Sequence, residues 1–171
     1  MPRATQVEMG LLELARVTTP MGLVVDRIVI DGRELSVESE PFAVASQGPL
    51  EAEVVLAPED VSAFVGAKAP PQVKKIELEF LEGEIRAIVT VKVIFDISAS
   101  ATLGLRIVEN RLEVYGIDDS QVPAPARPML HNQLASMNPL FDPSSLPFEV
   151  RLTSVAISAE GVRLRGQASL P

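Results

Sequence analysis

The sequence predicts an α+β fold that is mainly β: a strongly curved antiparallel meander, a half-barrel or trough, wrapped around one or two helices. Three observations carry this prediction. Most of the chain alternates apolar and polar residues with period two, the mark of strands with one buried face. The stretch RAIVTVKVIFDISASATLGLRI, residues 86–107, keeps an apolar residue at every odd position from Ala87 to Ile107. Laid straight, at ~3.3 Å per residue, it would run roughly 70 Å, against a radius of gyration of about 15 Å for a compact chain of this length. It must coil or break, and the bend is expected at Ser98-Ala99-Ser100-Ala101 and Gly104, where side chains are small. Finally, two segments leave period two for helical spacing.

Taken in order, QVEMGLLELARVT is compatible with a first strand or an N-terminal helix. LVVDRIVIDGRELSVES reads as two β-branched runs joined by a hairpin turn at Asp31-Gly32. PFAVAS and LEAEVVL follow as strands. LAPEDVSAFVGAKAPP is a short helix: Pro58 suits its first position, Glu59 and Asp60 suit the positive end of its dipole, and Val61, Phe64 and Val65 share a face. Gly66 and Pro70-Pro71 are expected to end it. VKKIELEFLEGEIRAIV returns to strand, with Ile76, Leu78 and Phe80 on one face and a turn at Glu82-Gly83. A further turn falls near Glu109-Asn110, and RLEVYGI runs back. The Pro-rich segment from Asp118 to Pro147 reads as a long connection carrying a helix from about Pro128 to Asn138, stopped by Pro139. In PFEVRLTSVAISAEGVRLRGQASL the parity shifts after Leu152, predicting a bulge at Thr153-Ser154, and Glu160-Gly161 makes the last turn. VDRIVIDGRELSV and LTSVAISAEGVRL look alike, either as a weak internal repeat or as two hairpins under the same rules.

The 171 residues suit one domain, 1–171, with a real core. Apolar residues make up 47% but aromatics only 4%, with no Trp, so the core is aliphatic and smooth. The net charge of −8 without a basic cluster excludes nucleic acid as a natural partner and suits electrostatic docking on anionic headgroups poorly. No Cys is present, which removes disulfides, thiolate metal sites and thiol nucleophiles. MPRATQVEMGLLELARV has no basic start and apolar run, so no signal peptide is read, and no stretch is long enough to span a bilayer. The chain as given is expected to be soluble: cytoplasmic, or of the envelope had an export signal been removed.

Catalytic chemistry is thin. His131 is the sole histidine and is expected on a helix flank, near solvent. No nucleophile elbow, zinc helix, P-loop or dinucleotide fingerprint occurs. Asp118-Asp119 lacks the spaced ligands of a calcium loop and reads as a solvated turn. Glu77, Glu79, Glu82 and Glu84 read as the wet face of a hairpin. No enzyme activity, metal or cofactor is expected.

An apolar face under helices is ordinarily a core. Here it is longer than two short helices cover, and it lacks interlocking aromatics, which suits a cavity for acyl chains. The candidate lining is Val89, Val91, Val93, Phe95, Ile97, Leu103, Leu105 and Ile107. The lids are Val61, Phe64 and Val65, and Met129, Leu130, Leu134 and Met137. Phe148, Val150 and Leu152 share a further face and complete the set. The alternative is a self-assembling module in which that face is a homodimer interface.

The order of VDRIVIDGRELSVES, EAEVVLAPEDVSAFV, a strand meander, VPAPARPMLHNQLASMNPLFD and LPFEVRLTSVAISAEGVRLRG resembles the LmeA-like phospholipid-binding proteins, of the tubular lipid-binding (TULIP) type. The resemblance spans roughly residues 20–170 and rests on patterns such as L-x-x-E-D-V-x-x-F and L-P-x-x-V-x-L-x-x-V. It implies a long helix or helices cradled by a strongly curved antiparallel sheet, with lipid bound in the groove between, and no catalytic residues. A phospholipid or fatty-acyl ligand and transient membrane contact are the expected partners.

Overall fold

In the computed structural model of the chain, residues 4–39, 42–46, 48–92 and 94–169 are described, the side chains of 4–9, 33–39 and 42–46 excepted. Ten strands and two helices follow one another: β1 (Ala4–Thr18), β2 (Val24–Ser39), β3 (Phe42–Ser46), β4 (Leu50–Leu56), α1 (Pro58–Lys68), β5 (Val73–Leu81), β6 (Glu84–Lys92), β7 (Asp96–Val108), β8 (Arg111–Asp118), α2 (Arg127–Met137), β9 (Glu149–Ser158) and β10 (Gly161–Ser169). The strands make two antiparallel sheets. One has the order β1-β2-β4-β10-β9, with β3 paired to β2; the other is the meander β5-β6-β7-β8. Neither closes into a barrel, and the fold is the mainly-β α+β class that the periodicity predicts.

The N-terminal segment, compatible with strand or helix, is strand β1, paired with β2 from Ala4↔Glu38 to Thr18↔Val24. The hairpin expected at Asp31-Gly32 does not form. β2 passes through it, with Asp31 opposite Leu11 and Gly32 opposite Gly10. The turn lies instead at Thr19–Leu23, where Gly22 takes a φ of 93°. An Asp-Gly pair permits a turn but does not compel one when both neighbours continue as strand. The two look-alike segments therefore differ in structure: the first is one strand, the second is the β9–β10 hairpin.

The long alternating stretch breaks into β6, which ends at Lys92, and β7, which begins at Asp96, not at the small residues and short of the expected bend. Val91 opposes Ile97 and Val89 opposes Ala99, so odd residues face odd residues across the hairpin. The turn thus leaves the parity of the pattern undisturbed, and the sequence shows one unbroken face. Gly104 has another use: a Cβ there would lie 2.7 Å from the Tyr115 ring, which covers the glycine on the outer face, with Arg106 over the ring at 5.1 Å.

α1 begins at Pro58 but runs past Gly66 to Lys68, one turn's fraction beyond the expected stop. α2 spans the expected region and ends before Pro139. The bulge expected in β9 is present: Arg165 opposes Ser154 and Gly166 opposes Leu152, leaving Thr153 as the extra residue. Gly166 is needed there, since a Cβ would fall 2.3 Å from the Arg151 carbonyl oxygen.

The core fills the space between the sheets and beneath the helices, with Val25, Ile28, Leu112 and Leu164 among its most enclosed members. β9 crosses one end of the meander. The Gly83 N–H donates to the Ile157 carbonyl at 3.0 Å. Asn110, in the β7–β8 turn, donates Nδ2–H to the Val150 carbonyl at 2.9 Å and accepts the Leu152 N–H at 2.7 Å. Its amide replaces a strand neighbour. At the free edge of β8, Asn138 does the same with both backbone groups of Val114, and Leu112 bridges to Phe141. A sheet edge is thereby covered.

Candidate functional site

The inner face of the meander is built in rows by strand register. Phe80, Ile85 and Leu103 form one row; Leu78, Ala87 and Ala101 the next; then Ile76, Val89 and Ala99; then Val73, Val91 and Ile97. Burial falls along this series. Leu103 and Ala101 are enclosed, Ala99 is half-buried, and Ile97 is 40% exposed. Period two fixes the chemistry of the face; the hairpins fix its width.

α1 and α2 lie over this face, α1 near β5 and α2 near β8. The start of α1 is tied to the first sheet. Arg16 reaches Asp60 in a two-pronged ion pair, Nη2 to Oδ1 at 2.9 Å, and Asp60 is only 8% exposed. Arg16 has a φ of 56°. That left-handed conformation, costly for a side-chain-bearing residue, lets Leu14 and Val17 on either side both pack on the core. Arg16 is held above its ordinary pKa chiefly by the Asp60 hydrogen bond. The far end of α1 is held more lightly: Gln133 Nε2 of α2 donates to the Lys68 carbonyl at 2.8 Å.

Between helices and sheets lies a cavity of about 80 Å³. Its walls are Leu23 of the β1–β2 turn, Leu56 and Val162 of the first sheet, Val61 and Val65 of α1, Leu130, Gln133, Leu134 and Met137 of α2, Leu140, and Ile76, Leu78, Ile85, Ala87, Val89, Leu103, Leu105 and Val114 of the meander. Gln133 is the one polar side chain among them. Such a wall offers dispersion and water exclusion, and nothing with which to activate a bond.

Eight residues expected from the sequence are brought together here: Val61, Val65, Val89, Leu103, Leu105, Leu130, Leu134 and Met137. The others lie elsewhere. Phe64 is buried but turned from the cavity, and Ile107 packs against the core. Val91 and Ile97 stand in the row beyond the cavity, and Phe95 is at the exposed tip of the β6–β7 hairpin. Met129 is exposed on the outer flank of α2. Val150 and Leu152 are buried on β9 and Phe148 is buried just before it; Phe148 and Val150 border a separate open recess beside Pro143 and Asn110. Val93 lies outside the described residues. The walls missed by the sequence reading are chiefly Leu23, Leu56, Val162 and Leu140. Leu23, Leu56 and Val162 belong to segments distant in the chain, which only the packing of the two sheets brings in, and Leu140 follows directly after α2.

Ionisable groups stand away from the cavity. His131 is exposed, with Nε2 3.0 Å from Asp119 Oδ2. Asp118 is held below its ordinary pKa mainly by the Ser120 backbone N–H, as in a solvated turn. Asp142 is held low chiefly by its hydrogen bond with Ser144, which caps the 3₁₀ turn Pro143–Ser145. Among the described residues no helix is long and apolar enough to cross a membrane, and no group of three or more His, Asp and Glu could hold a metal ion.

The wall chemistry therefore points to an apolar ligand, and comparison with known families gives the same direction. The family model for LmeA-like phospholipid-binding proteins matches residues 5–167, nearly the whole chain. The chain belongs to the LmeA-like phospholipid-binding family. No curated protein and no solved structure matches it. Membership supports lipid binding in general, and a lipid as the partner of this LmeA-like chain. The helices of this LmeA-like chain are short, 11 residues each, and leave the outer rows of the meander uncovered.

Proposed function

We propose that residues 1–171 act as a single, non-enzymatic lipid-binding domain whose acyl-chain groove is the space between the meander and the two helices. The observation that carries this reading is the cavity: its walls are aliphatic but for Gln133, and the inner face continues outward past Val89 to Val91 and Ile97. Burial of each acyl methylene there would contribute about 0.8 kcal/mol.

The cavity of about 80 Å³ is well below the ~300 Å³ at which ligand pockets begin. The groove must widen to receive a chain. The end that gives is the Lys68 end of α1, held to α2 by one hydrogen bond, and not the Asp60 end, held by a paired charge. Transfer of lipid between membranes, as part of envelope maintenance, is the use such a groove serves.

The test is organic extraction of the purified protein after incubation with mixed phospholipid vesicles, followed by lipid mass spectrometry. A stoichiometric acyl lipid is expected from the wild type, and none from Val89→Asp, which places a carboxylate on the half-buried wall. Uptake that survives in a folded Val89→Asp protein would sink the groove. A second reading is favoured by β1, an edge strand with exposed Leu11 and Leu12. Such an edge suits pairing with a second copy. A concentration-dependent dimer that extracts no lipid would select it.

A further inference from the structure

The acidic balance of the chain hides a local reversal. All four lysines, Lys68, Lys74, Lys75 and Lys92, gather at one end of the meander; every other cation among the 15 Lys and Arg residues is arginine. Lys68 closes α1, Lys74 and Lys75 open β5, and Lys92 closes β6 with its N–H on the Gln72 carbonyl at 3.2 Å. The carboxylates among them are Asp96, 2.6 Å from Lys74, and Glu77, 2.7 Å from Lys75. Both pairs are exposed and hold their partners weakly. Glu79 and Asp118 lie in the row of Arg86 and Thr102, well down the sheet. The tip thus carries surplus positive charge on a chain whose net charge is −8.

The same end carries the most exposed large apolar side chains of the described residues. Ile94 is 88% exposed and Phe95 69%. Turns are ordinarily polar, and two large apolar residues at an apex mark an interaction surface. This apex is opposite the end where β9 holds the Glu82-Gly83 and Glu109-Asn110 turns. It is also continuous, through Ile97, Val91 and Val89, with the cavity wall.

We propose that the β6–β7 tip docks on an anionic bilayer, with Ile94 and Phe95 entering the acyl boundary and the lysines meeting phosphate headgroups. The inference deepens the lipid-binding reading and rests on it, since docking there would set the open end of the groove against its lipid supply. It also reverses what net charge alone implies about anionic headgroups. Lysine suits the task because its aliphatic stem lies along apolar surface while the ammonium stays hydrated. A bilayer is favoured over a protein partner because a wedge ringed by lysines needs no shape complement.

The experiment is co-sedimentation of the full chain with phosphatidylcholine vesicles, with and without phosphatidylglycerol. The wild type should bind the anionic vesicles preferentially, and less as salt rises. Ile94→Asp should weaken that binding about tenfold or more. Lys74→Gln with Lys92→Gln should weaken it about fivefold per lysine, and on anionic vesicles only. Both variants alter exposed side chains and should retain uptake of a short-chain phospholipid offered as monomers. Unchanged sedimentation of Ile94→Asp would overturn the proposal, as would equal losses on neutral vesicles for the lysine variant. So would a wild type whose tip proves to hold a second copy, seen as a dimer that Ile94→Asp dissolves without any vesicle binding. A wild type that takes up monomeric lipid but ignores anionic vesicles refutes docking and leaves the groove standing. Vesicle binding without monomer uptake does the reverse.

Discussion

Ala87 sits in the second row of the meander, between Leu78 and Ala101, and its methyl group lines the cavity. Replacing it by leucine should raise stability and lower lipid uptake together. An unfilled cavity costs about 24 cal/mol per Å³, so 80 Å³ corresponds to about 2 kcal/mol. The three added carbons, at about 0.8 kcal/mol each, give a similar figure by transfer. For a chain of this length that is a rise of about 4–8 °C in Tm. Ala87→Val should give an intermediate rise. On the proposed reading lipid competes for the same volume, so binding should fall as the apo protein gains. The assay is thermal unfolding of lipid-free protein by circular dichroism, beside equilibrium uptake of a fluorescent acyl lipid. A rise in Tm with uptake unchanged would show that the cavity is not the binding site. A loss of 1–3 kcal/mol with leucine, the usual result of overpacking, would show that the space is not there to fill.

Two further predictions test the frame around the groove. Arg16→Ala removes the partner of a buried carboxylate whose other side is partly open; denaturant unfolding should show a lower midpoint than the wild type, and Arg16→Lys should recover only part, since a point charge cannot make the two-pronged bond. A neutral result would mean that Asp60 is satisfied by the α1 N-terminus alone. Asp142 is held below its ordinary value of 3.8 by its Ser144 hydrogen bond. The unfolded chain therefore takes up that proton first: the stabilising contribution is complete above pH 3.8 and is lost as pH falls through the folded-state value. A carboxyl titration of the folded protein by NMR with its Asp142 midpoint at or above 3.8 would contradict this.

Local period and punctuation made most elements legible. Pro58, Pro139, Gly83 and Gly161 mark ends that the structure keeps, and the parity slip after Leu152 marks a true bulge. The errors share a cause. At Asp31-Gly32 a turn signal was overridden by pairing with β1 on one side and β4 on the other. The break between β6 and β7 leaves no trace in the pattern because the register, Lys92 opposite Asp96, preserves parity. Both are decided by which strand lies beside which, a fact absent from any local window. The same holds for the cavity. Alternation identified Val89, Leu103 and Leu105, but Leu23, Leu56 and Val162 reach it only through packing of the other sheet. The lysine cluster escaped for the same reason: Lys68, Lys74, Lys75 and Lys92 are scattered in sequence and meet only when β5 and β6 pair.

The distribution of directional bonds separates the molecule into a fastened end and an apolar end. At the β9 end the meander is held by backbone and amide hydrogen bonds from Gly83 and Asn110, and α1 is pinned by Arg16 and Asp60. Between helices and meander the contact is mostly aliphatic, with a small void. Hydrophobic contact is non-directional and roughly proportional to area, so acyl methylenes can replace side-chain methylenes at little cost, whereas a hydrogen-bonded network would have to be broken. An aliphatic, aromatic-poor composition serves that exchange, because interlocking rings would resist it. A wall of this kind also leaves no motif in the sequence: its apolar character resides in what it lacks, and no run of adjacent residues records it.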